Sequence, residues 1–294
     1  MNRLRYASFI LLQSLIYGLG NPLTKVAYQS ITPLWLLATR FPLAFLLLLP
    51  FCRRDLIAQL RQTGCSVWLP GSLCCAGAYI SCNLALNLTS ATNVGFLMSL
   101  PVLFAPILAL LVNRQPYRLW HLPVQLLAVL GLFLLCSNGG AFVFRAGDLL
   151  ALVCAGCISG MLVFGERAMA ELDVTVVTAL QIGVTAVISL VGALLFDDFA
   201  VLGKATPPAW GIVVYLAVLC SIVAYLLQNA AVAHLSASAV SMLQCTQPLM
   251  TAAVSFLLLR ETLTIPGWIG AGLIIGCLAL DSFLGTQPTF RSDH

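Results

Sequence analysis

Apolar residues run through this chain in long stretches, separated by short clusters of charge, proline and small polar residues. Breaking the sequence at those clusters predicts ten helices, at 4–28, 33–51, 66–88, 91–112, 118–137, 147–167, 174–196, 208–233, 236–259 and 266–285. A helix needs about 20 residues to cross roughly 30 Å of hydrocarbon, and each run is of that order. The pattern reads as an all-α membrane protein with ten transmembrane helices.

A second regularity lies over the first. Sliding the chain by 147 residues brings Thr89-Ser90-Ala91 onto Ser236-Ala237-Ser238, and Pro101 in the fourth run onto Pro248 in the ninth. Two five-helix repeats follow, at 1–140 and 141–286, with a short tail at 287–294. Five is odd, so the second repeat enters the membrane with the opposite orientation, and a solute site between inverted repeats belongs near the midplane.

Composition agrees with that solvent. The chain is 61% hydrophobic and only 8% charged, against about 25% charged in soluble domains, and ten spans in 294 residues leave no length for a soluble catalytic domain. The 14 basic and 10 acidic residues are scattered, so nucleic-acid binding has no support. The eleven cysteines fall mostly inside apolar runs, where a thiol behaves as a small hydrophobe. Arg3 and Arg5 precede the first run without a small-residue cleavage site, which predicts an uncleaved first helix. Placing the N-terminus in the cytoplasm puts Arg3, Arg5, Arg53, Arg54, Arg61, Arg114, Arg118, Arg167 and Arg291 on that side, which favours cytoplasmic N- and C-termini.

Polar groups at bilayer depth are expensive and default to functional hypotheses. On the ninth run Ser241, Gln244, Pro248, Thr251 and Ser255 recur at steps of three and four, which puts them on one helix face. The candidate solute-binding residues are Gln244 and Thr251 from that face, Tyr225 and Gln228 from the eighth run, Tyr79 and Asn83 from the third, and Asn21 beside Pro22 in the first. Phenols and amides hydrogen-bond a solute without a buried charge; an interhelical clamp is the competing reading for each. The corresponding face of the fourth run is Val94, Leu97, Pro101, Phe104 and Leu108, so a polar second-half wall is expected to face an apolar first-half one. Pro101 and Pro248 each remove a helical hydrogen bond and are the candidate gating points. Pro22 is expected to interrupt the first helix.

Arg40 falls about 10 Å inside the second helix at 1.5 Å per residue. Snorkelling toward the interface is the first reading, attraction of an anionic group the second. Asp148 reads as a helix cap and His234 as an interfacial histidine. Gly156–Gly160 and Gly272–Gly276 have small-xxx-small spacing and read as packing within the bundle.

Three segments carry a family resemblance: Tyr17-Gly18-Leu19-Gly20-Asn21-Pro22-Leu23-Thr24-Lys25, Gly147-Asp148-Leu149-Leu150-Ala151-Leu152, and Leu259-Arg260-Glu261-Thr262-Leu263-Thr264 running on into Pro266-Gly267-Trp268. With ten spans and the internal duplication, the chain resembles the EamA family of the drug/metabolite transporter superfamily over about 4–285. The resemblance implies a secondary transporter in the bacterial inner membrane. Its members move amino acids, amines and other metabolites, often outward. The first-half counterpart of the glutamate junction is Asn113-Arg114-Gln115-Pro116, which lacks the acid, so no role of that acid carries over to the first half.

An intramembrane enzyme would need a reactive constellation, such as paired histidines or clustered aspartates for a metal. His121, His234 and His294 are far apart in sequence, so neither an enzyme nor a cofactor is expected. A lipid-headgroup flippase on the same scaffold is the remaining alternative. The expected partners are a small-molecule solute and membrane lipid; a homodimer is open, and a monomer suffices.

Overall fold

In a computed structural model, residues 2–89, 91–115, 121–137, 144–259 and 263–284 are described, and among them the chain is helical with no strand. Helices occur in all ten predicted runs. In the first half they are α1 (Asn2–Ala27), α2 (Pro33–Leu60), α3 (Cys65–Leu88), α4 (Ala91–Leu97), α5 (Pro101–Val112) and α6 (His121–Ser137). In the second they are α7 (Ala146–Ala168), α8 (Val174–Phe196), the short α9 (Ala200–Gly203), α10 (Pro207–Tyr215), α11 (Ala224–Leu235), α12 (Ala237–Leu243), α13 (Thr246–Leu259) and α14 (Ile265–Leu284). A π-helical segment, Leu216–Val223, joins α10 to α11.

Six of these runs are long and apolar enough to cross a membrane, namely 33–60, 65–88, 93–112, 146–168, 174–196 and 207–235; α6 and α14 add two shorter apolar helices. Large apolar side chains cover the outside, with Phe51 85%, Phe196 81% and Leu257 75% exposed. Such a surface is stable in lipid and not in water. The two runs outside those eight, α1 and α12–α13, carry Gln13, Ser14 and Thr24, and Ser241, Gln244 and Thr251. They pack on each other.

Local chemistry sets the boundaries. Thr32 caps α2 by accepting from Trp35 N, with Pro33 at the first helical position, where its missing N–H costs nothing. That helix continues nine residues past its predicted end at 51, because Arg53, Arg54, Leu56, Ala58 and Gln59 are good helix formers that extend it. At Pro101 and Pro248 the helices break. Each proline removes the bond to the carbonyl four residues earlier, and turns at 98–100 and 244–245 separate α4 from α5 and α12 from α13. Pro22 does not break α1, which runs unbroken from Asn2 to Ala27. Gly18 there lies against the backbone of Met250 and Thr251, and such close packing supports a proline-containing helix. One residue, Ser236, turns the chain from α11 into α12 at φ 117°, a strained conformation outside glycine; its hydroxyl accepts from Ala239 N.

The main contacts are between α3 and α7, α2 and α8, and α6 and α14, and between α1 and both α13 and α10–α11. Named contacts give their senses. Gly71 lies beside Gly165 and Gly77 beside Cys157; Gln59 bonds Asp173 while Phe45 touches Gly183; His121 meets Asp281 while Gly131 meets Gly270; and Gln13 bonds Gln228 while Gly20 touches Cys220. All four pairs are antiparallel. By contrast α1 and α13 run parallel, with Ser14 bonded to Thr246 and Gly18 against Thr251. So do α4–α5 and α7, through Asn93 to Asp148 and Asn113 to the Val163 carbonyl.

Small residues let these backbones touch, the usual basis of helix association in lipid. The closest approach joins α6 to α14, where a Cβ on Gly270 would run into the Gly131 carbonyl oxygen. The two small-xxx-small motifs behave differently from the expectation. Gly160 packs on Cys74, but Gly156, Gly272 and Gly276 meet nothing within 4 Å. The α14 motif faces outward, and Gly270, two residues before it, makes the contact. Gly270→Ala is therefore expected to cost about 1–3 kcal/mol through overpacking, read as a lower melting temperature in detergent, whereas Gly272→Ala should leave it unchanged.

Candidate functional site

A cavity of about 610 Å³ lies between the helices, lined from the first half by α1–α6 and from the second by α7, the π-helical segment, α11, α12 and α13. Its size suits a small organic solute. Tyr79, Asn83, Tyr225, Gln228, Gln244, Thr251, Pro101 and Pro248 all line it, so eight of the nine sequence-predicted positions are brought together. The side chain of Asn21, the ninth, lies outside the described residues, as does that of Ser255.

Tyrosines form the middle of the wall. Tyr79 stands at the centre, its hydroxyl 3.3 Å from that of Tyr17 and its ring 6.1 Å from that of Tyr225. Tyr225 is buried with its hydroxyl 3.2 Å from Cys75 Sγ. Tyr28 donates to Asn83 Oδ1, and Asn83 in turn donates to the Tyr79 carbonyl at 2.7 Å.

Three amides make a second cluster. Gln228 Oε1 accepts from Gln13 Nε2 at 2.7 Å and from Gln244 Nε2 at 2.9 Å, joining α1, α11 and the end of α12. Gln13 Oε1 and Gln228 Nε2 remain without a protein partner although both residues are buried. Thr251 faces the cavity but gives its hydroxyl to the Gln247 carbonyl. Asn229, next to Gln228, turns away to donate to Thr178 and Gln181 on α8, a clamp between helices.

Arg40 is the charge inside. It does not snorkel: it is 5% exposed and lines the cavity. Its Nε donates to Ser221 Oγ at 2.8 Å, one Nη lies 3.5 Å from the Tyr79 hydroxyl, and the guanidinium sits 5.1 Å and 5.0 Å from the ring centres of Phe41 and Tyr79. Ser221 is presented by the π-helical segment, a winding found preferentially at functional sites.

The acids lie elsewhere. Asp148 is buried at the start of α7, accepting from Thr89, Asn93 and the Arg145 backbone, so its capping role extends to tying the α3–α4 turn. Glu166 accepts from Gln115 and from Ala237 N at the start of α12. Asp281 pairs with His121 at 3.2 Å. His234 stacks on Tyr6 away from the cavity. No group of three or more His, Cys, Asp or Glu among the described residues is placed to hold a metal.

One expectation is corrected. The α4–α5 part of the wall is apolar through Val94, Met98 and Pro101, with only Ser99 polar, but the first half as a whole is not, since Gln13, Tyr17, Arg40, Tyr79 and Asn83 come from α1, α2 and α3. Leu97 is packed in the core, and Phe104 and Leu108 are off the cavity surface. Gln13, Tyr17 and Arg40 were absent from the sequence-derived site, although Gln13, Tyr17, Gly20 and Thr24 repeat the three-and-four spacing used to find Gln244.

The apolar exterior is that of a membrane protein, and the chain belongs to the EamA-like transporter family, whose model matches residues 4–137 and again 145–282. Two proteins of Archaeoglobus fulgidus, each named an uncharacterized transporter, are similar. One is 32% identical over 144 residues, covering 49% of this chain and 43% of its own, so the match spans less than half of that relative. The other is 28% identical over 247 residues, covering 81% and 83%. A crystal structure of a protein 20% identical superposes with a TM-score of 0.82 over 95% of this chain and 97% of its own, which shows the fold alone.

Removal of the Asp148 carboxylate by Asp148→Ala takes the acceptor from Thr89 and the Arg145 backbone. A loss of about 1–3 kcal/mol is expected, visible in thermal unfolding, with solute affinity unchanged because Asp148 does not line the cavity.

Proposed function

We propose that this protein is a secondary transporter that moves small organic solutes, as an exporter, by alternating access at the central cavity. The observation that carries the reading is the shared wall, in which Tyr17 and Tyr79 of one half face Tyr225, Gln228 and Gln244 of the other. A site built from both halves changes its exposure when the halves rock.

The proposal includes ten spans in two inverted halves. It is supported by the way exchanging the halves permutes the helix contacts. The antiparallel pair α3 and α7 becomes α10–α11 and α1, also antiparallel, and the parallel pair α1 and α13 becomes α7 and α5, also parallel. The pairs α2 with α8 and α6 with α14 map onto themselves. Corresponding helices of the two halves then point in opposite directions. The equivalent breaks before Pro101 and Pro248 lie on the cavity surface and are the proposed bending points of the two gates.

Counterflow in proteoliposomes with labelled amino acids, amines and organic acids is expected to show saturable exchange of at least one class; lipid scrambling without exchange of any water-soluble solute would overturn the reading. Gln244→Ala removes one amide and should weaken apparent affinity by about two- to tenfold at normal expression. Cytoplasmic placement of the α2–α3 turn is tested at Cys65, the one exposed cysteine of eleven. A membrane-impermeant maleimide should label it only after cells are permeabilised; labelling in intact cells would reverse the orientation.

A further inference from the structure

We infer that the solute is an organic monoanion whose carboxylate docks on Arg40. This rests on the carrier reading above and narrows its cargo, favouring acids over amines.

The first argument is charge. Arg40 and Lys25 both line the cavity, and none of its described lining residues is Asp or Glu. Among the described residues, no Asp or Glu forms an ion pair with Arg40, so none of them neutralises the buried guanidinium. A cation in a low-dielectric interior normally has a paired acid, because an isolated buried charge is costly. Here its neighbours are neutral: a serine hydroxyl, a distant phenol and two ring faces. These hold the guanidinium in place without cancelling its charge. Lys25, exposed in the last turn of α1, extends the positive potential to the cavity rim, where it draws anions in and turns cations away.

The second argument is geometry. A guanidinium carries five N–H donors. Ser221 takes the Nε donor, and the contact to Tyr79 at 3.5 Å is long, so the terminal nitrogens keep donors for an incoming group. That edge matches the two oxygens of a carboxylate. One buried guanidinium balances one negative charge. Tyr17 and Tyr79 add hydroxyls beside it.

The third argument is the remainder of the solute. Beyond the tyrosines, Leu86, Val94, Met98 and Leu135 give an apolar surface. On another side Gln13 and Gln228 line the cavity, and Gln13 Oε1 and Gln228 Nε2 have no partner in the protein. The complementary solute has a carboxylate at one end, an apolar or aromatic body, and space for one further polar group.

The test uses three solutes of matched shape, 3-phenylpropanoate, its primary amide and phenethylamine, with the full-length protein. Thermal stabilisation in detergent reports binding and proteoliposome counterflow reports transport. The carboxylate is expected to stabilise the wild type and exchange, and the amide and the amine to bind at least about tenfold more weakly. Arg40→Met should abolish the preference for carboxylate over amide, and Arg40→Lys should restore part of it; a purely structural arginine would lower stability without altering that ratio. If Arg40→Met does not fold, the wild-type preference and Arg40→Lys decide. Equal binding of acid and amide, or preference for the amine, overturns this inference and leaves the carrier reading intact. Failure of counterflow with every solute class overturns both.

Discussion

At bilayer depth a polar side chain finds its partners inside the protein, because lipid offers none. The interior is organised around that constraint. Gln13 and Gln244 both donate to Gln228 across three helices, Tyr28 is held by Asn83, and Arg40 rests on Ser221. Of these residues, Gln13, Gln228, Gln244, Asn83 and Arg40 also line the cavity. The polar residues of α1 and α12–α13 face each other and α11, because these helices pack on one another. Close backbone contacts at Gly18, Gly131 and Gly270 fix how near the helices come, and the cavity is the volume those contacts leave open.

Much of this was legible in the residues, and what was not has physical reasons. The all-helical, membrane-spanning character follows from run length and composition, and both breaks at prolines fall where Pro101 and Pro248 stand. Gln244 was found because polar residues on an otherwise apolar helix reveal its inner face. On α14 that contrast is missing. Every position between Ile265 and Cys277 except Trp268 is small or aliphatic, so periodicity could not tell that Gly270 faces α6 while Gly272 and Gly276 face outward. Arg40 was read as snorkelling because its depth along α2 is visible in the sequence but Ser221 and Tyr79, far away in the chain, are not. The π-helical winding of Leu216–Val223 has no proline or glycine to announce it. Pro22 shows the converse: a strong local signal was overridden by the packing of α1 against α13.

The separation of charges by depth is the other organising feature. Asp148 and Glu166 are each used up at a helix end, one holding the α3–α4 turn and the other the start of α12. Their oxygens accept from backbone N–H groups that helix termini leave unpaired. In those positions acids stiffen the ends of the bundle and contribute no negative charge to its middle. The breaks before Pro101 and Pro248, by contrast, lie on the cavity surface.

This arrangement bears on how an alternating carrier would move. If such a carrier passed through an occluded state, the cavity would close around Arg40 and the effective dielectric there would fall, so an uncompensated guanidinium would become harder to accommodate. A bound monoanion, as proposed above, would cancel the charge at that moment. Reorientation with solute would then be favoured over reorientation without it, which is the behaviour of an exchanger. A neutral or cationic solute would leave the charge uncancelled or add to it. The residue that selects the cargo would thus also decide which form of the carrier crosses.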